Sequence, residues 1–269
     1  MVMSLRDALE RLVDLYRHGA SLVLLFDYDG TLVPLAPDPT LAVLSDHTRE
    51  RLVRLSQMPA VSVGVLSGRS LADLKNAVGV RGLYYAGTSG LEVDLCGEPI
   101  LPPESDCAAR VVAMAADRVR RAVCGSRGAW VEQKPLGLTV HYRGVEPDRI
   151  DELRTWVANA VQPFSGRLRL IEGRLALEVV PDLGWTKGSA LMMIVAHVAA
   201  DIVVPLYAGD DANDADAMIA ATMLGGAALG VGPHAPPAAQ YHLPDPAATG
   251  RYMETLLVLL ATRRAQPTR

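Results

Sequence analysis

Aromatic side chains are scarce in this sequence. They make up 5% of its 269 residues, and only 2 are phenylalanine, so a core has to be assembled from Ala, Val and Leu. Cysteine is almost as rare. Cys96, Cys107 and Cys124 stand at no spacing that suits a metal site or a redox pair, and an odd, sparse set is no disulfide framework. They are expected to be small buried apolar residues. Neither sign of charge dominates: 26 Lys and Arg against 30 Asp and Glu give a net charge of −4. That balance argues against a nucleic-acid groove and a polybasic membrane surface. Long apolar runs are also missing. The stretches at 22–26 and 256–261 are far too short to span a bilayer. Arg6, Asp7, Glu10, Arg11 and Asp14 leave no apolar core for a secretion signal. A cytoplasmic protein with no membrane partner is therefore expected. What remains, 50% hydrophobic and 21% charged residues, is an ordinary globular balance, long enough for one large domain or two modest ones.

The apolar residues at 5, 9, 12, 13 and 16 share one helical face, predicting a helix over 5–17. The run at 22–26 is apolar on every side, as a strand buried on both faces must be. A helix over 45–57 capped by Ser45 or Asp46, a strand over 61–66, another helix and a strand over 83–86 follow. This alternation predicts an α/β fold with a doubly wound parallel sheet, Rossmann-like in its winding. After Gly97 the pattern changes to helix (104–123), hairpin (129–134 and 138–142), helix (149–161) and hairpin (167–171 and 175–180). That is an α+β unit, read as a domain at 97–181 inserted between core segments 1–96 and 182–269. The first pattern then resumes with a helix over 186–199, a strand over 202–207, a helix over 213–220, a strand over 227–231 and a helix over 251–262. The Arg-rich tail beyond is expected to fray.

Chemistry-bearing residues gather where the predicted parallel strands end, the edge at which open α/β sheets bind ligands. Asp27 and Asp29 follow the first strand, and Ser67, Gly68 and Arg69 the second. Asp210, Asp211 and Asp214 follow a later one, with Lys187 opening the helix before it. Packing carboxylates together is costly unless a cation relieves their repulsion. An all-oxygen set suits magnesium, which shares itself with a substrate phosphate. Ser67 and Lys187 would meet the phosphate oxygens, and a carboxylate beside the metal can attack phosphorus.

Asp27-Tyr28-Asp29-Gly30-Thr31-Leu32 resembles the nucleophile motif of the haloacid-dehalogenase (HAD) superfamily of phosphatases. Ser67-Gly68-Arg69-Ser70 resembles its second motif, Lys187 its third, and Gly209-Asp210-Asp211-Ala212-Asn213-Asp214 its fourth. The inserted unit lies between the second and third motifs, as in members with the larger type of cap. Within the superfamily the chain is most similar to trehalose-6-phosphate phosphatases. Gly90-Leu91-Glu92, Glu132-Gln133-Lys134, His141-Tyr142-Arg143 and Leu177-Glu178-Val179 carry that likeness. It departs from the family at Thr88-Ser89-Gly90, where Asn-His-Gly or Val-His-Gly is common, and at Asn213 to Met218.

The resemblance implies a magnesium-dependent sugar-phosphate phosphatase. Asp27 is implied as nucleophile and Asp29 as acid and base, with Ser67, Gly68, Arg69 and Lys187 around the phosphate. Metal contacts come from Asp27, Asp29, Asp210, Asp211 and Asp214, and Glu132, Lys134 and Glu178 of the cap reach the sugar. A phosphatase for another sugar phosphate, such as glucosyl- or mannosyl-phosphoglycerate, and a phosphosugar mutase remain open. So do a phosphoacceptor module and an inactive regulatory copy.

Overall fold

The computed structural model describes residues 4–36, 38–173 and 175–262. Helix α1 (Leu5–Arg17) leads into β1 (Ser21–Phe26). Next come α2 (Asp46–Ser56), β2 (Val61–Leu66), α3 (Leu71–Val78), β3 (Tyr84–Gly87), β4 (Glu92–Leu95) and β5 (Glu98–Ile100). The middle of the chain forms α4 (Ser105–Val123), β6 (Trp130–Lys134), β7 (Gly137–His141), α5 (Ile150–Val161), β8 (Leu168–Gly173) and β9 (Ala176–Pro181). The remainder is α6 (Lys187–His197), β10 (Val203–Gly209), α7 (Ala215–Met223), β11 (Ala227–Val231), β12 (Tyr241–Leu243) and α8 (Pro246–Ala261). Among the described residues no helix is long and apolar enough to cross a membrane.

The larger sheet has eight strands in the order β12-β11-β10-β1-β2-β3-β4-β5. The strands from β12 to β3 are parallel, and β4 and β5 add an antiparallel edge. Every residue of β1 is buried, because helices cover both faces of the sheet. Leu22, Leu24 and Phe26 pack with α1, α2 and α8 on one face, and Val23 and Leu25 with α6 and α7 on the other. That double burial is why the strand reads as an unbroken apolar run. Leu52 and Leu55 of α2 are wholly buried, each contributing roughly 1.5–3 kcal/mol over the exposed state. From β1 the chain winds outward to β2 and β3, then returns on the other side as β10. The winding reverses between β1 and β10, which opens a crevice beyond their C-terminal ends.

The second sheet is antiparallel, in the order β6-β7-β9-β8. Helices α4 and α5 pack on it around Val112, Val119, Val140, Leu153, Val157 and Leu177. Buried positions on α4 recur every three or four residues from Ala108 to Val123, the stripe of a helix with one covered face. Leu91, Leu136 and Val180 form a small apolar cluster between this unit and the larger sheet.

The structure departs from the sequence expectations in five places. Gly97 lies in the turn of the β4–β5 hairpin, so the larger sheet runs on to Ile100, past the boundary expected at 97. The short strands β4, β5 and β12 carry too few residues to show a pattern. The helix expected over 213–220 is a 3₁₀ turn at Ala212–Asp214 followed by α7. Helix α8 starts at Pro246, capped by the Asp245 side chain, and not at 251. All three cysteines are exposed, not buried. Cys96 sits beside that hairpin turn, Cys107 on the solvent side of α4 and Cys124 at its C-cap. The tail expected to fray lies beyond residue 262, outside the described residues.

Candidate active site

The register between β1 and β10 pairs Phe26 with Ala208. Asp27 follows the last residue of β1, and Asp210 follows Gly209, the last residue of β10. Asp27 N–H still donates to the Ala208 carbonyl at 2.8 Å, which anchors its backbone in the ladder. Asp214 arrives from the 3₁₀ turn that follows. Asp27, Asp210 and Asp214 each offer a carboxylate oxygen, and these oxygens lie within 4.8 Å of one another. All three residues are buried. Gly30 permits this approach: its φ is +89°, and a Cβ there would overlap the Asp210 carboxylate.

Lys187, the first residue of α6, reaches the same point and is 1% exposed. Its ammonium donates to Asp214 Oδ1 at 2.6 Å, Asp27 Oδ1 at 2.7 Å and Asn213 Oδ1 at 3.1 Å. The Thr186 hydroxyl caps α6 by accepting from Gly188 and Ser189, which fixes the root of the lysine. Asp214 is saturated. Its Oδ1 also accepts from the Tyr207 hydroxyl at 2.5 Å, and its Oδ2 from the backbone N–H groups of Asp210 and Asp211.

One ammonium cannot balance three buried carboxylates. Burial drives Asp27 well above the usual carboxylate range, with Asp214 and Asp210 adding to it against the pull of Lys187. Burial, then Asp214 and Asp211, pushes Asp210 up to about 8. Lys187 moves the other way from what burial alone dictates, because Asp214 and Asp27 hold its proton firmly. This surplus of negative charge on oxygen-only donors fits a hard divalent cation.

The other two expected metal carboxylates, Asp29 and Asp211, line the same cavity as Asp27 and Asp210, but their side chains are not part of the three-carboxylate cluster. Asp29 is forked by Arg69, whose Nε and Nη2 donate to its two oxygens at 2.7 and 2.8 Å. Asp211 starts the 3₁₀ turn and accepts from Ala212 N–H. Ser67 is buried at the end of β2, its oxygen accepting from Arg69 N–H at 3.2 Å. Gly68 follows it, and a Cβ there would overlap the Glu178 carboxylate.

Glu132, Lys134 and Glu178 come from β6 and β9 of the smaller sheet. They line one cavity of about 450 Å³ together with Asp27, Asp29, Ser67, Gly68, Arg69, Asp210 and Asp211. Lys134 is buried, and its ammonium donates to the Gly68 carbonyl and the Thr139 hydroxyl, each at 2.6 Å. Glu178 accepts from the Ser89 hydroxyl at 2.5 Å. Glu132 pairs with His141 at 2.8 Å, and His141 stacks on Trp130 with ring centroids 4.0 Å apart. Burial opposes ionisation of Glu132, but the His141 hydrogen bond and the Lys134 charge outweigh it and lower its pKa. Carboxylates and an ammonium on the roof suit hydroxyl groups, and the acidic, lysine-bearing floor suits a phosphate with a cation.

Residues 25–224 match the model of the trehalose-phosphatase family. The chain belongs to that family. The trehalose-phosphate phosphatase of Mycobacterium tuberculosis H37Rv is 35% identical over 226 residues, 82% of this chain and 54% of that protein. The trehalose-phosphate phosphatase of Mycolicibacterium paratuberculosis is 38% identical over 222 residues, 80% of this chain and 54% of that protein. The chain spans about half the length of the curated relatives it matches. The C-terminal domain of Candida albicans trehalose-6-phosphate phosphatase superimposes with a TM-score of 0.83 at 23% identity, covering 96% of this chain and 99% of that one. A trehalose-6-phosphate phosphatase related protein gives 0.74 at 21% identity, covering 88% and 97%. At such identities the two structures speak for the fold alone.

Several residues of this trehalose-phosphatase family member escape a reading of the sequence. Tyr207 is an ordinary strand residue until its hydroxyl is seen on Asp214, and Asn213 stands in the fourth motif with no role until its side-chain oxygen is seen on Lys187. Ser89 acquires a place only when the two sheets are set against each other, and Trp130 when the β6–β7 pairing sets it beside His141. No local signal assigns a role to any of the four.

Proposed function

We propose that this chain is a magnesium-dependent phosphatase that hydrolyses trehalose 6-phosphate to trehalose and phosphate. One observation supports the reading above all. The Asp27, Asp210, Asp214 and Lys187 cluster floors a cavity whose roof carries Glu132, Lys134 and Glu178. The floor is built for phosphoryl transfer and the roof for a polyhydroxylated leaving group.

Asp27 and Asp210, with the main chain of Asp29, would hold the magnesium ion, and Asp214 would steady them from behind. When bound, the ion supplies positive charge that offsets the buried carboxylates and the phosphate oxygens. An Asp27 carboxylate oxygen attacks phosphorus, and the bond from phosphorus to the sugar oxygen breaks. Asp29 gives that oxygen its proton, so the sugar leaves as an alcohol. Asp29, now a carboxylate, takes a proton from water as the water oxygen attacks the aspartyl-phosphate. The bond from phosphorus to Asp27 then breaks, which regenerates Asp27 and releases phosphate. Lys187 and Ser67 hold the transferring group, whose charge spreads over its equatorial oxygens. Glu132, Lys134 and Glu178 bind the sugar hydroxyls and exclude water.

The test is phosphate release from a panel of trehalose 6-phosphate, glucose 6-phosphate, mannose 6-phosphate and glucosylglycerate phosphate. Trehalose 6-phosphate should show the highest kcat/KM. Asp27→Asn should abolish turnover while leaving the far-ultraviolet circular dichroism unchanged. Persistent turnover in that variant would remove the nucleophile, and preference for another member of the panel would replace the substrate.

A further inference from the structure

Arg69 was expected at the phosphate, yet its guanidinium is already spent elsewhere. Nε and Nη2 fork onto Asp29 at 2.7 and 2.8 Å, Nη2 also donates to the Pro39 carbonyl at 2.6 Å, and Nη1 donates to Asp73 at 3.0 Å. Four of its five N–H groups are thus engaged. The plane lies over the Tyr28 ring, 4.9 Å from its centroid, and the side chain is 9% exposed. Its backbone is equally fixed: Arg69 N–H meets Ser67 Oγ, and its carbonyl accepts from Thr88 N–H at 2.6 Å. Nothing in this arrangement is a loose cation awaiting an anion. A paired fork binds a carboxylate in one plane, which a point charge cannot do.

We propose that Arg69 is a positioning residue for Asp29 and not a ligand of the phosphate. The fork takes one lone-pair direction on each Asp29 oxygen and locks the carboxylate plane. Asp29 lines the same cavity as Asp27, so the plane the fork fixes is held at that cavity's wall. Asp29 is 29% exposed at its side chain, and among the described residues the Arg69 fork supplies the hydrogen bonds to its carboxylate. Asp73, four residues on and in the first turn of α3, and the Pro39 carbonyl hold the guanidinium from the far side. The inference rests on the acid and base role given to Asp29 above. It separates two kinds of substrate, because only a poor leaving group needs its oxygen protonated.

The experiment compares the magnesium-supplied wild type with Arg69→Lys, Asp73→Asn and Asp29→Asn. Quenched-flow assays measure first-turnover release of trehalose from trehalose 6-phosphate and of nitrophenol from nitrophenyl phosphate. Calorimetry measures the Kd of inorganic phosphate. In Arg69→Lys, trehalose release should fall about tenfold or more, a part of what a general acid supplies. Nitrophenol release and the phosphate Kd should stay within about threefold. Asp73→Asn keeps the fork but replaces a charged anchor with a neutral one, so trehalose release should fall about fivefold while nitrophenol release stays within about threefold. It serves as well should Arg69→Lys fail to fold. Equal losses on both substrates with a weakened phosphate Kd would make Arg69 a phosphate ligand and overturn the proposal, as would no loss on either. If Asp29→Asn itself failed to discriminate between the substrates, the role of Asp29 would fall first, a result distinct from failure at Arg69 alone.

Discussion

Magnesium binding should release protons, and the buried carboxylates set how many. Asp210 is pushed up to about 8, first by burial and then by Asp214 and Asp211. At pH 7 such a group is protonated in about nine molecules out of ten. A divalent ion must displace that proton, so about 0.9 proton should leave per ion bound at pH 7, and more if Asp27, also raised, contributes. Below pH 8 the apparent affinity should weaken about tenfold per pH unit for each proton displaced. Folding stability of the metal-free protein follows the same sign. A carboxylate whose folded pKa exceeds its unfolded value near 3.8 contributes fully below that value and loses its contribution as pH rises through about 8. Between pH 4 and pH 7 that loss is on the order of 4 kcal/mol for this group taken alone. The gain in Tm on adding magnesium should therefore be larger at pH 8 than at pH 6. Calorimetry in two buffers of different ionisation enthalpy counts the protons directly. A count near zero at pH 7, with an affinity flat from pH 6 to pH 8, would mean that the cluster is not the ion's site.

Gly30→Ala places a methyl group against the Asp210 carboxylate at a φ of +89°. It should cost about 1–2 kcal/mol in backbone strain alone and weaken magnesium binding about tenfold or more, read by calorimetry and by urea unfolding. Glu178→Gln should raise KM for trehalose 6-phosphate about tenfold, while KM for nitrophenyl phosphate stays within about threefold, as steady-state kinetics would check. Equal changes on both substrates would take Glu178 off the sugar. Leu153→Ala opens the core under α5, where Leu153 is 1% exposed, and should cost about 2–5 kcal/mol in chemical denaturation.

The larger sheet was legible because burial on both faces leaves unbroken apolar strands. Runs at 22–26, 61–66 and 227–231 became β1, β2 and β11 nearly residue for residue. Helix α1 was equally plain, since its apolar residues fall on one face. Short edge strands such as β5 and β12 were not, because three residues carry no period. The cysteines misled for a different reason. Their side chains suit a core, but Cys107 and Cys124 fall on positions of α4 and its cap that face water.

The sequence alone determined which residues bear chemistry and that they stand where strands end, because strand length and hydrophobic pattern are local properties of the chain. It also determined family membership, which is carried by motifs. Only the tertiary structure decided how those groups share one another. Register between β1 and β10 drew Asp27, Asp210 and Asp214 into one cluster, while Asp29 was handed to Arg69 and Asp211 to the start of a turn. Hydrogen-bond partners depend on distances between segments remote along the chain, 160 residues apart for Lys187 and Asp27, and no local pattern encodes those distances.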